Sequence, residues 1–588
     1  MNKVDRTRII VASAVASAIF TAFSARLVHI HITKHEEYSR IAADKHSKRQ
    51  IIRAKRGMIL DRNGEILAAN LPVRTIFADA SHITNPQELA TLAASRLSLD
   101  AAELAEKFAS GKKYIVLKRQ VPEQLTLDLF EEMQSRRLRG LYSEKDSIRT
   151  YPNGSMLGHV IGFLNHERKG IQGIERTFDA ELTGTDGYRY IERDRTGREI
   201  VPYRGLEEEP ENGQNIRLTI DMHLQAILEE ELDATYKELR PETVTAILVD
   251  PHTGGILAMG SRPTFDPNNP GEAKPEQMKN RAIIDMVEPG STFKIVVAAG
   301  ALNEGTVDEK TSIFCENGRF VYAGRTLRDH HGYAQMSVRD ILVKSSNIGS
   351  AKMALMMGAD KYYEYVRRFG FGERLGIELP GEIAGLVHPP SRWDKLTITR
   401  MPMGHAVAVT PLQIAMSMSV IANGGKLMSP RIVQSLESPQ GREKTMKAPL
   451  VIRNVVPEKT ARFVGNALSA VTQPGGTATY ARVTGFNVAG KTGTAQKVSP
   501  NGGYAAGKYV VSFSGFMPAE DPRFVCLVIV DDAKVASNLN YGGTLAAPVF
   551  SRIAEKTARY MNLTPTLPAI PLLDSPLAKI ENATQKTH

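Results

Sequence analysis

Cysteine is nearly absent from this sequence, because its 588 residues include only Cys315 and Cys526. So few thiols exclude a disulfide-stapled scaffold and argue against a metal site built from cysteines. Whether the two thiols pair with each other or stay separate and buried is left open. Long apolar runs are also scarce: one stretch near the N-terminus has the length of a membrane span, which excludes a polytopic membrane protein.

The composition is that of a globular chain, with 42% hydrophobic and 23% charged residues, and its length predicts roughly two to four domains. The net charge is +10, a balance found in proteins that bind nucleic acid, anionic membranes or acidic polymers. Residues 1–62 hold 13 Lys/Arg and 5 Asp/Glu, a net charge of +8, and the other 526 residues hold 61 and 59, a net charge of +2. The excess therefore indicates membrane entry and not nucleic acid.

The N-terminal apolar run predicts a single membrane anchor. Basic residues precede a stretch of 17 uncharged residues at 9–25, and with Arg26 snorkelling the span extends to residue 32. Positive charge before the span places residues 1–8 in the cytoplasm and the rest of the chain outside. The alternative is a secretory signal cleaved near Ala22-Phe23-Ser24. In both cases the body of the protein is exported.

The exported chain divides near residue 240. Residues 33–240 form a mixed α/β region: helix and a basic, solvated linker at 35–55, a hairpin turn at 61–64, and amphipathic helices at 85–140. Residues 241–562 form an α+β domain whose first and last strands are predicted to share one sheet before a helix at 545–561. Four prolines in the first part of residues 563–588 predict a disordered tail.

Ser291-Thr292-Phe293-Lys294 fits the pattern Ser-x-x-Lys at a helix start. Spacing of three places the lysine on the face of the serine, and the first helical turn offers free N–H groups. A nucleophilic hydroxyl needs such an amine and such donors. The competing interpretation is a helix cap with a surface lysine.

Two further motifs follow. Ser345-Ser346-Asn347 fits Ser-x-Asn, which an ordinary capped helix would also explain. Lys491-Thr492-Gly493-Thr494 follows a strand whose Gly490 suggests close approach of another backbone. Such an edge suits an extended peptide, with the lysine and threonine hydroxyls holding a carboxylate; a solvated hairpin is the alternative.

The three motifs in this order, over about 200 residues, resemble the signature of penicillin-recognising acyl-serine enzymes. Other segments resemble class B penicillin-binding proteins over roughly residues 1–560, and the asparagine at 347 resembles the septal, FtsI-like branch, since the elongation branch typically has aspartate there. Gly404-His405-Ala406 departs from the Gly-Tyr-Gly often found in that branch. The segments are RGMILDRNGEILA, RTYP, GIQGIER, LTIDMHLQ, PTFDPN, EPGSTFK, VTPLQIA and YGGTLAAPVF.

The resemblance implies a D,D-transpeptidase with a serine β-lactamase-like domain, an antiparallel sheet flanked by helices, carried on an elongated pedestal similar to the penicillin-binding protein dimerisation domain. Ser291 would attack D-Ala-D-Ala, Lys294 would be its base, and Ser345 would relay a proton to the leaving amine. Asn347 would hold the donor peptide and orient the lysine. The carboxylate would be bound by Lys491, Thr492 and Thr494, with Gly493 in the same substrate-binding strand.

The implied partners are peptidoglycan stem peptides, β-lactams, the bacterial cytoplasmic membrane, a lipid-II polymerase of the SEDS type and other division proteins, with no nucleic acid. No metal or cofactor is implied. Asp329-His330-His331 suggests a metal site only weakly, because helical spacing and a third partner are lacking, and a loop is favoured. The alternatives are an elongation-type transpeptidase, a D,D-carboxypeptidase or β-lactamase on the same fold, and a non-catalytic β-lactam sensor or division scaffold.

Overall fold

The structure is a computed structural model that describes residues 3–38, 47–193, 199–202, 208–442, 444–499 and 503–568. Its helices are α1 (Lys3–Val28), α2 (Pro86–Leu97), α3 (Ala101–Ala109), α4 (Glu123–Ser135), α5 (Gly158–Ile161), α6 (Gly173–Thr177), α7 (Asp179–Thr183), α8 (Met222–Leu239), α9 (Arg281–Ile284), α10 (Lys294–Asn303), α11 (Val338–Val343), α12 (Asn347–Met357), α13 (Ala359–Arg368), α14 (Thr397–Arg400), α15 (Pro411–Ala422), α16 (Glu458–Ser469) and α17 (Gly542–Tyr560).

Its strands are β1 (Ser47–Ile52), β2 (Ile59–Leu60), β3 (Ile66–Ala78), β4 (Ile115–Pro122), β5 (Leu141–Thr150), β6 (Gly187–Arg193), β7 (Glu199–Pro202), β8 (Asn215–Leu218), β9 (Thr243–Val249), β10 (Ile256–Arg262), β11 (Ser312–Phe314), β12 (Arg319–Tyr322), β13 (Arg325–Arg328), β14 (Gln335–Ser337), β15 (Lys426–Met428), β16 (Val433–Glu437), β17 (Lys444–Met446), β18 (Val451–Asn454), β19 (Ala489–Val498), β20 (Tyr504–Met517) and β21 (Phe524–Asp531). The chain divides into two compact units, one of residues 1–57 and 183–213 and one of residues 58–182 and 214–588.

The smaller unit contains α1 and an antiparallel sheet. The helical segment Arg6–Thr33 is long and apolar enough to cross a membrane, and it is the one such helix among the described residues. It agrees with the predicted anchor. In the sheet, β6 lies between β1 and β7. Strand β1 corrects the predicted linker at 35–55: its partner β6 lies more than 130 residues further along the chain, where a local pattern cannot indicate it.

The larger unit begins with the predicted hairpin, in which β2 and β3 are antiparallel. The Asp61 carboxylate shapes the turn by accepting the backbone N–H groups of Asn63 and Glu65 at 2.7 and 2.8 Å. Strand β3 then pairs with β4 and β5, and helices α2 to α4 cover this sheet with a separate apolar cluster that includes Ile76, Leu89 and Phe108. The amphipathic helices predicted at 85–140 are α2, α3 and α4, with β4 between them.

One sheet joins the early and late parts of this unit. Strand β8 pairs in parallel with β2 and antiparallel with β16, and an ion pair between Arg217 and Glu437, 2.6 Å long, ties β8 to β16. Helix α8 packs beside β10, where the Gln225 side chain bonds to the N–H and the carbonyl of Met259, both at 2.9 Å. The division predicted near residue 240 stays a prediction.

The central sheet is antiparallel throughout, with strand order β10-β9-β21-β20-β19. This confirms that strands from both ends of the predicted domain share a sheet. Every residue of β9 and β10 is buried, because helices flank the sheet, among them α8, α15 and α17. Cys315 and Cys526 are buried free thiols, which settles their pairing, and burial raises the pKa of the Cys526 thiol.

The C-terminal helix α17 begins three residues before its predicted start. After it, residues 563–568 are described, and the backbone N–H groups of Thr566 and Leu567 bond to the Gly485 carbonyl at 2.9 and 3.0 Å. The remainder of the predicted tail lies outside the described residues, as does Lys45 of the basic run.

Candidate active site

Ser291 lies in a short 3-10 helix, Gly290–Phe293, that leads directly into α10. The predicted helix start is therefore correct, with a tighter first turn. Its neighbours point into the core: Phe293 packs on Phe371 with ring centroids 4.7 Å apart, and the Thr292 hydroxyl donates to the Pro289 carbonyl at 2.7 Å. Ser291 itself is partly exposed.

Glycines let this turn lie between two other backbones. A Cβ on Gly290, where φ is +57°, would lie 2.9 Å from the Thr494 backbone, and a Cβ on Gly493 would lie 2.7 Å from the Pro289 carbonyl oxygen. From the other side, a Cβ on Gly404 would lie 2.2 Å from the carbonyl oxygen of Gly290. The sequence suggests that another backbone lies close to Gly490. Three residues later, at Gly493, the backbone that lies close is the turn that carries Ser291.

The Ser-x-Asn motif closes over the lysine of the first motif. Lys294 Nζ donates to the backbone carbonyl of Ser345 at 2.5 Å, to its hydroxyl at 3.1 Å and to Asn347 Oδ1 at 2.8 Å. The Asn347 Nδ2 group donates to the Arg328 carbonyl at 3.0 Å. Because a carbonyl oxygen only accepts, this contact fixes the amide orientation and turns Oδ1 toward the lysine.

Lys491 completes the cluster from β19. Its Nζ donates to the Ser345 hydroxyl at 3.0 Å, so this hydroxyl lies between the amines of Lys294 and Lys491. Residues that are 51 and 146 positions apart from Ser345 in the chain thus converge on one oxygen. Such a bridge offers a path for a proton between two amines.

Both lysines are completely buried, and burial favours their neutral forms. For Lys294, burial and then the charge of Lys491 hold the pKa well below its usual range, with Asp329 acting in the opposite direction. Burial lowers the pKa of Lys491 to about 7. Both amines therefore lose a proton more easily than an exposed lysine does, and the positive charge of Lys491 further favours the neutral form of Lys294.

The strand end next to Lys491 is suited to an anion. Thr492 and Thr477 hydroxyls lie 3.3 Å apart, and the Thr494 hydroxyl accepts the N–H of Gly542, the first residue of the 19-residue helix α17, at 3.2 Å. The positive end of that helix, the hydroxyls and Lys491 together favour a carboxylate. Thr477 and Gly542 are not in the predicted site. The YGGT segment, one of those that resemble the family, contains Gly542 and could have indicated it.

Two acidic residues that were not predicted also belong to the site. Asp329, considered in the sequence only as part of a metal site, accepts hydrogen bonds from Ser346 and Asn347. The described residues contain no group of three or more His, Cys, Asp or Glu side chains placed to hold a metal.

The second unpredicted acid is Glu288, three residues before Ser291. Its Oε2 lies 2.8 Å from His405 Nδ1, and the Tyr504 hydroxyl donates to it at 3.1 Å. Burial and this carboxylate raise the pKa of Tyr504 to about 12, so the phenol stays a donor. His405 is the residue at which the sequence departs from the Gly-Tyr-Gly pattern, and here it links the loop after α14 to the nucleophile turn.

Comparisons with known proteins indicate the family. Residues 244–555 match the penicillin binding protein transpeptidase domain and residues 51–218 match the penicillin-binding protein dimerisation domain. The chain is 32% identical over 557 residues to the probable peptidoglycan D,D-transpeptidase PenA of Neisseria gonorrhoeae, covering 94% of this chain and 92% of that protein. It is 34% identical over 523 residues to the peptidoglycan D,D-transpeptidase FtsI of Escherichia coli strain K12, covering 88% and 85%.

Among solved structures, the fold is similar to penicillin binding protein 3 of Mycobacterium tuberculosis in complex with aztreonam. The TM-score is 0.68 at 27% sequence identity, and the match covers 89% of this chain and 100% of that one.

Proposed function

The chain belongs to the class B penicillin-binding proteins, the D,D-transpeptidase family, and from this membership we propose that it cross-links peptidoglycan stem peptides through an acyl-serine intermediate during septal cell-wall synthesis. The observation that carries the proposal is the Ser345 hydroxyl placed between two buried lysine amines, 3.1 Å from Lys294 and 3.0 Å from Lys491. A structural helix cap has no need of two buried amines, whereas acyl transfer needs a proton acceptor and a proton relay.

In the first half-reaction, Ser291 Oγ attacks the carbonyl carbon between the two terminal D-alanines of the donor peptide. Neutral Lys294 takes the hydroxyl proton, which the lowered pKa of its amine permits. Backbone N–H groups of Ser291 and Thr494 stabilise the oxyanion. As the C–N bond breaks, the proton passes through Ser345 to the amine of the departing D-alanine, and an ester on Ser291 remains.

Substrate orientation comes from β19. The terminal carboxylate binds at Lys491 and at the hydroxyls of Thr492 and Thr494, beside the N-terminus of α17. Asn347, whose amide is held by Arg328 and Lys294, contacts the donor peptide backbone. In the second half-reaction the amine of another stem peptide attacks the ester, transfers its proton back along the same path and releases Ser291.

The test of the nucleophile is covalent labelling of full-length protein by a fluorescent penicillin. We expect Ser291→Ala to abolish labelling while its thermal unfolding midpoint stays near that of wild type, with Ser155→Ala as the control for serine loss outside the site. Labelling that persists in Ser291→Ala would overturn the assignment. Products then separate the alternatives: dimeric muropeptides indicate a transpeptidase, and trimmed monomers indicate a carboxypeptidase.

The septal role and the topology rest on resemblance and on Asn347 in the second motif. We expect the N-terminal anchor to place residues after about 33 outside the cytoplasmic membrane, where peptidoglycan and a lipid-II polymerase are available. Depleting the protein in cells should produce filaments. Rounded cells would point to an elongation role instead.

A further inference from the structure

The segment that presents Ser345 has a backbone that needs outside support. Ser345 has φ +60°, a left-handed conformation that is strained for a residue other than glycine. This turn presents both the carbonyl and the hydroxyl of Ser345 to Lys294. A small rotation back toward the favoured region would move both groups away from the amine.

The carboxylate of Asp329 supplies that support. Its Oδ1 accepts the backbone N–H groups of Asn347 and Ile348 at 2.5 and 3.1 Å, and its Oδ2 accepts the Ser346 hydroxyl at 2.6 Å. The Ser346 oxygen in turn accepts the N–H of Gly349 at 2.9 Å. The free N–H groups in the first turn of α12 are thereby bonded to one aspartate and the serine that it holds.

The preceding residue reinforces the same contact. Arg328 accepts from the Asn347 amide through its carbonyl, so the dipeptide Arg328-Asp329 holds both the side chain and the backbone of Asn347. Both of these contacts reach across from the end of β13, and neither is part of α12 itself. The position of Ser345 and Asn347 relative to Lys294 is therefore set from this loop.

Asp329 also adds a negative charge near Lys294. The charged or titratable groups that act on the Lys294 amine are Lys491 on β19 and, from the loop after β13, Asp329 and His330. Lys491 favours the neutral amine, whereas Asp329 favours the charged one. The carboxylate thus acts on the same amine whose partners it holds in place.

We propose that Asp329 is a positioning residue of the transpeptidation reaction, whose carboxylate holds the left-handed turn at Ser345 and the start of α12 against the Lys294 amine. The inference rests on the proposed function, because that function gives Lys294 and its contact partners Ser345 and Asn347 their catalytic roles. A plain helix cap would affect stability alone, whereas a positioning residue also changes the acylation rate and its pH dependence.

The test uses full-length protein in detergent, with the rate of acylation by a fluorescent penicillin measured across a range of pH, together with the thermal unfolding midpoint. The variants are Asp329→Ala and Asp329→Asn. The matched control is Asp340→Asn, because Asp340 makes the same type of first-turn contact on α11, where its carboxylate accepts the Ser337 hydroxyl at 2.7 Å.

We expect Asp329→Ala to acylate at least tenfold more slowly at every pH. Asp329→Asn keeps an oxygen for the N–H groups but loses the charge, so the acid limb of its pH profile should move to lower pH, because Lys294 then loses its proton more easily. Asp340→Asn should leave the rate and the pH profile unchanged.

Wild-type rates in Asp329→Ala, or a lower unfolding midpoint with an unmoved pH profile in Asp329→Asn, would overturn the inference and leave Asp329 as a cap. A wild-type protein that is not labelled at Ser291 would instead refute the proposed function. The two failures are therefore distinguishable in one set of measurements.

Discussion

Replacing Lys491 by methionine should make the protein more stable and the enzyme slower. Lys491 is fully buried, and burial lowers its pKa to about 7. A pKa of about 7 in place of 10.5 corresponds to an unfavourable folding contribution of about 5 kcal/mol below pH 7, where the amine is charged in both the folded and the unfolded chain. Methionine has similar length and no charge, so the variant lacks this contribution.

Lost hydrogen bonds offset part of the gain. Lys491 Nζ donates to the Ser345 hydroxyl at 3.0 Å and, more weakly, to Thr492 at 3.4 Å. Losing these bonds costs about 1–3 kcal/mol, although the Ser345 hydroxyl keeps the Lys294 amine as a donor, so the net stabilisation expected near pH 6 is about 2–4 kcal/mol. Acylation by a fluorescent penicillin should fall about tenfold or more, since the Ser345 hydroxyl loses one amine.

The way in which stability changes with pH tests this reasoning. Between pH 7 and 10.5 the unfolded chain keeps the Lys491 proton that the folded chain has released, so wild-type stability rises with pH. The advantage of Lys491→Met should therefore shrink by about 1.4 kcal/mol per pH unit and vanish before about pH 10.

Urea unfolding of the full-length chain in detergent, at several pH values between about 6 and 9, measures this difference. Lys459→Met, on the exposed side of α16, is the control and should change stability by no more than about 0.5 kcal/mol at any pH. A Lys491→Met protein that is less stable than wild type near pH 6, or a gain that does not vary with pH, would refute the argument.

Three further outcomes are expected. Asn347→Asp places a carboxylate oxygen against the Arg328 carbonyl and a negative charge beside Lys294, so the acid limb of the acylation pH profile should move to higher pH. Gly404→Ala puts a Cβ about 2.2 Å from the Gly290 carbonyl oxygen at a φ of +82°, so labelling and the thermal unfolding midpoint should both fall, with Gly441→Ala, in open space, as control. Both cysteines should react with a thiol reagent only after unfolding, and a native titre above zero would contradict their burial.

The spacing of the Ser-x-x-Lys motif predicted how Ser291 and Lys294 lie relative to each other, because both residues belong to one helical segment. The spacing of three positions places Ser291 and Lys294 one turn apart, and in the structure they lie in the 3-10 turn and at the first residue of α10. Short, mostly apolar runs also predicted strands of the central sheet, because a fully buried strand such as β9 has few polar residues. These features are local, so a single sequence can carry them.

Two features that depend on distant partners were not predicted. Asp329 holds the start of α12 from a loop 17–19 residues earlier, and no periodic pattern marks an acceptor in a loop. Helix α17 begins at Gly542-Gly543, which local propensity disfavours. The reason lies elsewhere in the chain, since Cβ atoms there would lie 2.3 and 2.2 Å from the carbonyl oxygens of Ser512 and Thr477.

Three features that break local rules in the larger unit meet around one oxygen atom. Two buried lysines and a left-handed serine each destabilise the fold by themselves, yet all three converge on the Ser345 hydroxyl. Folding alone gives no reason for this convergence, because apolar residues would fill the same space at lower free energy. A proton path between two amines does give a reason, since burial lowers the pKa of each amine and the hydroxyl must be held between them. The stability gained by removing Lys491 and the activity lost with it are therefore expected to be two consequences of the same burial.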